Sequence, residues 1–262
     1  MKNLIKTDFR RLLKDKLTIV LFVIALVLAT VTPLLQAALF EVQKLIAEAP
    51  DMVSPIQAKS MLFVNFAYLS DVMFIVLILV PIILLKELNG MIRNKIVNGY
   101  SRKQVYFSLL ITISTLITIL LLVATIITST VSLIAYPYSL AGDLFINDIP
   151  YILLSLLGGI ILSILISSLI ILFSIGLRIK VSSVILIAIF FVLTIVGTLV
   201  STAVTNKPAL KFLRIFNPVS MASILGQTTE PIYYIGQILV PLAYIALTIL
   251  WGISSFKKRD IQ

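Results

Sequence analysis

FSLLITISTLITILLLVATIITSTVSL, residues 107–133, runs for 27 positions without a charged side chain. A helix of that length rises about 40 Å, more than the roughly 30 Å of hydrocarbon in a bilayer. A membrane-spanning β-strand would instead show segments of about ten residues that alternate in polarity. This stretch spans as a helix, and the chain around it follows the same rule.

Of the 262 residues, 60% are hydrophobic and only 12% charged, and the mean hydropathy is +1.14. Soluble domains carry about twice that charge. Five further apolar runs, at about 17–39, 62–85, 150–177, 181–204 and 234–256, are each long enough to cross. The expectation is an all-α polytopic membrane protein with six transmembrane helices, forming one transmembrane domain over 1–262. The first run exceeds the apolar core of about 7–15 residues found in a secretory signal, so it is expected to stay as the first span. There is no Cys and no His. That removes disulfides, thiolate chemistry, haem, most zinc sites and the usual neutral-pH base.

The formal charge of +10 points first to nucleic acid, but its distribution points elsewhere. With the N-terminus inside, segments 1–16, 86–104, 178–180 and 257–262 hold six, five, two and three Lys/Arg, sixteen in all. The opposite segments 41–61, 137–149 and 206–232 hold five. Basic residues are retained on the cytoplasmic side, so a multi-pass protein of the cytoplasmic membrane with both termini cytoplasmic is expected, with no nucleic acid partner. The acids Glu41, Glu48, Asp51, Asp143, Asp148 and Glu230 lean outward.

Prolines punctuate this map. Pro150, after Asn147 and Asp148, fits a first helical turn, and Pro137 follows the third span. Pro33 and Pro81 lie inside spans and predict kinks, whose freed carbonyls need neighbouring helices or Ser/Thr hydroxyls. No internal repeat marks an inverted transporter architecture.

MKNLIKTDFRRLLKDK, residues 1–16, is an amphipathic basic pattern. Ile5, Phe9, Leu12 and Leu13 share one helical side; Lys2, Lys6, Arg10 and Lys14 recur every four residues on another, with Arg11 beside them. Such a helix lies at the membrane interface, with its cations at anionic lipid headgroups. It is a topology anchor, or also an interface with a cytosolic partner.

Between spans two and three stands GMIRNKIVNG, residues 90–99. Asn89 can cap a helix start, Gly99 suits the left-handed residue that ends one, and Ser101 with Gln104 fits the capping box of the next helix. The element between them is a helix of roughly two turns, unstable alone, so something packs on it. Headgroups, residues 1–16, or a groove on a soluble protein would each serve.

The run KELNGMIRNKIVNGYSRKQVYFS, residues 86–108, resembles the first cytoplasmic loop of ABC-2-type exporter permeases. The amphipathic N-terminus, six spans, the short LRIK loop between spans four and five, and the external FNPVSMAS before span six agree with it. The resemblance implies an ABC-2 (type V) exporter-like fold: an interfacial helix at 1–16, a cytoplasmic coupling helix in the loop 86–104, and re-entrant external helices in 206–232. It makes Glu87, Asn89, Gly90, Ile92, Arg93, Asn94, Lys95, Ile96, Gly99, Ser101 and Arg102 candidates for coupling to an ATPase, with apolar contact from Ile92 and Ile96 and orientation from Arg93, Lys95 and Arg102. None of the ten glycines precedes a Lys, so the chain has no phosphate-binding P-loop and is expected to be no enzyme by itself. ATP and magnesium would sit on two copies of a separate ABC ATPase subunit. A second permease, identical or related, would complete the assembly. The overall likeness is to small Gram-positive exporters of amphipathic peptides, those that expel phenol-soluble modulins among them. That implies export of an amphipathic or hydrophobic substrate such as a peptide toxin or antimicrobial peptide.

Asp71 lies in the outer half of the second span and is either an interfacial carboxylate or a pathway or gate residue. Asn217, Pro218 and Glu230 in the external segment are further gate candidates. The hydroxyls Thr112, Thr115, Thr118, Thr125, Ser163, Ser167, Ser168, Thr194 and Thr198 are expected to pack helices together, leaving a largely apolar route. The alternatives are an ion-gradient-driven secondary transporter, for which Asp71 stands nearly alone, and an ABC-2 exporter of drugs, lipids or polysaccharide. An intramembrane enzyme ranks last, lacking paired acids or metal ligands; no metal site is expected.

Overall fold

The computed structural model describes residues 1–46, 91–135, 145–176 and 231–257, with isolated residues at 62, 185, 188, 189 and 192. The described residues are all helical, in the order α1 (Lys2–Lys14), α2 (Lys16–Ile46), α3 (Met91–Val97), α4 (Arg102–Ala135), α5 (Phe145–Ile171) and α6 (Pro231–Lys257). Helix α5 ends in a wider π-helical turn, Leu172–Gly176. Four stretches, Lys16–Leu39, Arg102–Ala135, Asp148–Ile175 and Pro231–Lys257, are long and apolar enough to cross a membrane. These four suggest a membrane protein and correspond to the expected spans at 17–39, 107–133, 150–177 and 234–256. The expected spans at 62–85 and 181–204 and the segment 206–230 lie outside the described residues, apart from the isolated ones.

Helix boundaries differ from the sequence expectation where polar ends carry the helix past the apolar core. Helix α4 begins at Arg102 because the capping box organises its first turn, and α5 begins at Phe145. Pro150 therefore sits beyond the first turn. Its ring is compatible with helical φ, and only the Ile146 carbonyl loses its donor.

Helices α4 and α5 form the interior; α2 and α6 expose most of their apolar surface. Directions follow from the contacts. Asp8 and Ala29 meet Ser108 and Thr128, so α1–α2 climbs alongside α4. Arg102 meets Lys257 and Tyr106 meets Phe256, so α6 runs against α4. Tyr151, Gly158 and Ser168 meet Tyr234, Gln237 and Thr248 in turn, so α5 and α6 are parallel.

Close approach and hydroxyl pairing hold this bundle. The buried side of α2 carries the small or compact residues Thr18, Ala25, Ala29 and Pro33. A Cβ on Gly158 would lie 2.6 Å from Cδ of Gln237, and one on Gly252 would lie 2.7 Å from the Tyr106 ring. Small residues let backbones approach where the surroundings are apolar. Thr118 and Ser163 join α4 to α5 at 2.8 Å, and Ser168 and Thr248 join α5 to α6 at 2.8 Å. These three of the expected packing hydroxyls, Thr118, Ser163 and Ser168, bridge helices. Thr112 and Ser167 bond back to their own helix, and Thr194 and Thr198 lie outside the described residues.

Pro33 shows how a spanning helix tolerates its missing N–H. Helix α2 continues through it to Ile46. The carbonyl four residues earlier, on Ala29, accepts the Thr128 hydroxyl of α4 at 3.1 Å. That hydroxyl is shared with the Ala124 carbonyl at 2.9 Å. Thr128→Val should therefore lower stability by about 1 kcal/mol, the scale of interhelical bonds in bilayers. With Pro33→Ala already in place, which returns a donor to Ala29, the loss should shrink by about half. A double-mutant cycle of unfolding in mixed detergent micelles checks this.

Candidate functional site

The described end of the bundle where α1, α3, the start of α4 and the end of α6 converge carries the candidate site. Helix α3 has a defined C-terminal stop. The Tyr100 N–H reaches the Lys95 carbonyl at 3.2 Å and the Gly99 N–H reaches the Ile96 carbonyl at 3.0 Å, with Gly99 at φ 88°. This is the paired closure that a left-handed residue allows at a helix C-terminus. One residue later the expected capping box is complete. The Ser101 N–H donates to Oε1 of Gln104 at 2.9 Å, and the Gln104 N–H donates to Oγ of Ser101 at 3.3 Å. The turn between α3 and α4 is fixed from both sides.

Helix α3 turns a definite face inward. Ile92 and Lys95 are buried and Ile96 is half-buried, a stripe at i, i+3 and i+4 packed on the bundle. Arg93, Asn94, Val97 and Asn98 are exposed, Val97 to 76%. Of the two residues expected to offer apolar contact to a partner, Ile92 is only 4% exposed and Ile96 is half-buried. Among the described side chains of α3, the apolar one presented outward is Val97. Lys95 is likewise turned inward, and Arg102 donates at 2.7 Å to the Lys257 carbonyl, a cation at the negative end of α6. Glu87, Asn89, Gly90, Asp71, Asn217, Pro218 and Glu230 lie outside the described residues.

Lys95 is turned inward toward Asp8. The carboxylate of Asp8, 1% exposed, faces Lys95 Nζ at 2.8 Å from Oδ1 and 2.9 Å from Oδ2. The Ser108 hydroxyl of α4 donates to Oδ2 at 2.8 Å, and Arg11 Nη1 stands 3.9 Å from Oδ1. Three helices thus meet at one carboxylate. A charge left alone in such a place costs roughly 3–5 kcal/mol, so both partners are held by each other's presence.

Helix α1 is oriented by the same contact. Its buried stripe is Leu4, Asp8 and Leu12, with Ile5, Phe9 and Arg11 half-buried at the edges. Leu13, expected on the same apolar side, is 45% exposed. Lys2, Lys6, Arg10 and Lys14 face away from the bundle. The reason is that Asp8 points at Lys95 and Ser108, which centres the inward face on position 8. Asp8 was the residue missed by sequence reasoning. Its signal was an acid at i+4 between Leu4 and Leu12 in an otherwise basic helix.

Among the described residues no three His, Cys, Asp or Glu gather as a metal site. No protein-family model, curated protein or solved structure matches the chain. What the arrangement can do is therefore read from its geometry: it presents a short, fixed helix with one free face.

The turn makes its own prediction. A Cβ added at Gly99 would meet nothing within 4 Å, so only backbone strain opposes it. Gly99→Ala should cost about 1 kcal/mol and Gly99→Asn less, because Asn tolerates the left-handed region. Amide hydrogen exchange at Gly99 and Tyr100 should accelerate in that order.

Proposed function

We propose that this chain is the membrane subunit of an ATP-driven exporter of the ABC-2 type, docked through α3 onto a separate ATPase. The observation that carries this reading is the free face of α3: Arg93, Asn94, Val97 and Asn98 on a helix whose C-terminal end and opposite face are fixed. A preorganised helix loses little freedom on binding, and one apolar anchor with a flanking cation fits a groove with an acidic rim. The resemblance of residues 86–108 to the exporter loop supplies the class of partner.

The topology is part of the same proposal. Helices α2 and α4 run the same way, as do α5 and α6, so the chain crosses back between each pair. That supports six spans with both termini on one side. The cations of α1, α3 and the start of α4 gather at that end, which the positive-inside rule makes cytoplasmic. Trp251, 57% exposed near the end of α6, suits the interfacial belt.

The substrate is amphipathic or hydrophobic, a peptide toxin or antimicrobial peptide being the fitting class. Among the described residues, Thr118, Ser163, Ser167, Ser168 and Thr248 bond one another or their own helices, which withholds these hydroxyls from a hydrophilic cargo. A second permease copy completes the route.

Co-expression with an ABC ATPase should give a complex that survives purification. Arg93→Glu or Val97→Asp, both exposed and tolerated by the fold, should weaken it at least tenfold, a loss of about 1.4 kcal/mol or more. Association unchanged in both folded variants, or transport that persists without any ATPase and collapses with the proton gradient, would overturn the proposal.

A further inference from the structure

The buried carboxylate on α1 has no need to be there for α1 to lie on a membrane surface. A leucine at position 8 would continue the stripe of Leu4 and Leu12 and make a simpler amphipathic helix. Replacing a buried ion pair with apolar residues of similar volume is often neutral or stabilising, so stability alone does not account for the pair. Such pairs serve better as devices that select one arrangement over others.

Helix α3 needs that selection. It has seven residues, too few to hold its own shape. Its inward stripe of Ile92, Lys95 and Ile96 has only two apolar members, and Val97, the next apolar residue, is exposed. A rotation by one residue, about 100°, would turn Arg93, Ile96 and Val97 inward, so that two apolar members still face the bundle with Val97 in exchange for Ile92. The Lys95–Asp8 contact tells the two arrangements apart, because only one of them brings Nζ to the carboxylate. The carboxylate is itself held, by the Ser108 hydroxyl at 2.8 Å and by Arg11 at 3.9 Å, so it offers a fixed target.

We infer that Asp8 is a positioning residue for the docking face of α3: through Lys95 it sets the rotation of the helix about its axis, so that Arg93 and Val97 face outward together. The partner's identity rests on the exporter proposal, but the positioning does not. The same contact binds α1 and α3 to the first turns of α4. A push on the free face of α3 therefore reaches α1 and α4 at once.

The chain contains no cysteine, so single cysteines report cleanly. The measurement is the rate of labelling by a water-soluble maleimide, in lipid nanodiscs open on both sides. Ile92→Cys should label at least ten times more slowly than Val97→Cys. Adding Asp8→Asn should raise the Ile92→Cys rate at least tenfold and lower the Val97→Cys rate. Asp8→Glu, which keeps the charge, should restore the slow rate at least in part. A cysteine at Leu109, buried in α4, should stay unlabelled throughout, showing that the bundle is intact.

An Ile92→Cys rate unchanged by Asp8→Asn would overturn the inference. So would a parallel rise at Leu109→Cys, because the pair would then only stabilise the fold. Should Asp8→Asn not yield folded protein, Lys95→Met with Ile92→Cys takes its place. That variant leaves Asp8 its contacts with Ser108 and Arg11, and the same two outcomes decide. Because no ATPase enters the assay, a positive result alongside failed ATPase association would sink the exporter proposal and leave the positioning role standing.

Discussion

One carboxylate, buried where three helices meet, organises the described end of this protein. Asp8 and Lys95 face each other where either charge left alone would be buried without a counterion, at a cost of several kcal/mol. That mutual requirement joins two segments 87 residues apart in the chain. It turns the inward face of α1, decides which residues of α3 face out, and ties both to Ser108 on the long helix α4. A hydrophobic seam of the same size would hold these helices together without dictating their rotation. The charge pair dictates it because it is satisfied in one arrangement only.

The body of the bundle is held differently. In apolar surroundings hydrophobic contact discriminates little, and close packing with shared polar groups takes over. Gly158 admits Gln237 and Gly252 admits Tyr106, while paired hydroxyls stitch α4 to α5 and α5 to α6. Thr128 closes the gap that Pro33 opens in α2. The result is a scaffold with an apolar core and its polar contacts inside and many further apolar side chains facing outward, and the fixed end sits on it. Placed in a membrane, such a scaffold would carry movement from one surface inward.

Much of the fold was legible in the sequence because membrane spans announce themselves by length and lack of charge. The run at 107–133 needed no tertiary context to be a helix, and neither did the stops around α3. Gly99 and the Ser101–Gln104 pair act through local backbone geometry, so spacing alone exposes them. Facing was harder. A seven-residue helix with four apolar positions has no single best side, and the structure buries Ile92, expected to face a partner, while it exposes Val97. Asp8 and Lys95 were invisible as a pair because the contact depends on how distant segments fold together. Asp8 looked like one more surface charge, and Lys95 like a cation meant for a partner. The gate candidates Asp71, Asn217, Pro218 and Glu230 rest on the sequence alone.

The central claim is that α1 and α3 form one unit with a single relative placement. Spin labels at two exposed positions, Lys6→Cys on α1 and Asn98→Cys at the end of α3, measure it directly through the distribution of distances between them. The account predicts one narrow peak in lipid nanodiscs, broadening or splitting when Asp8→Asn is added. A broad distribution in the unmodified background, or a narrow one indifferent to Asp8→Asn, would contradict it.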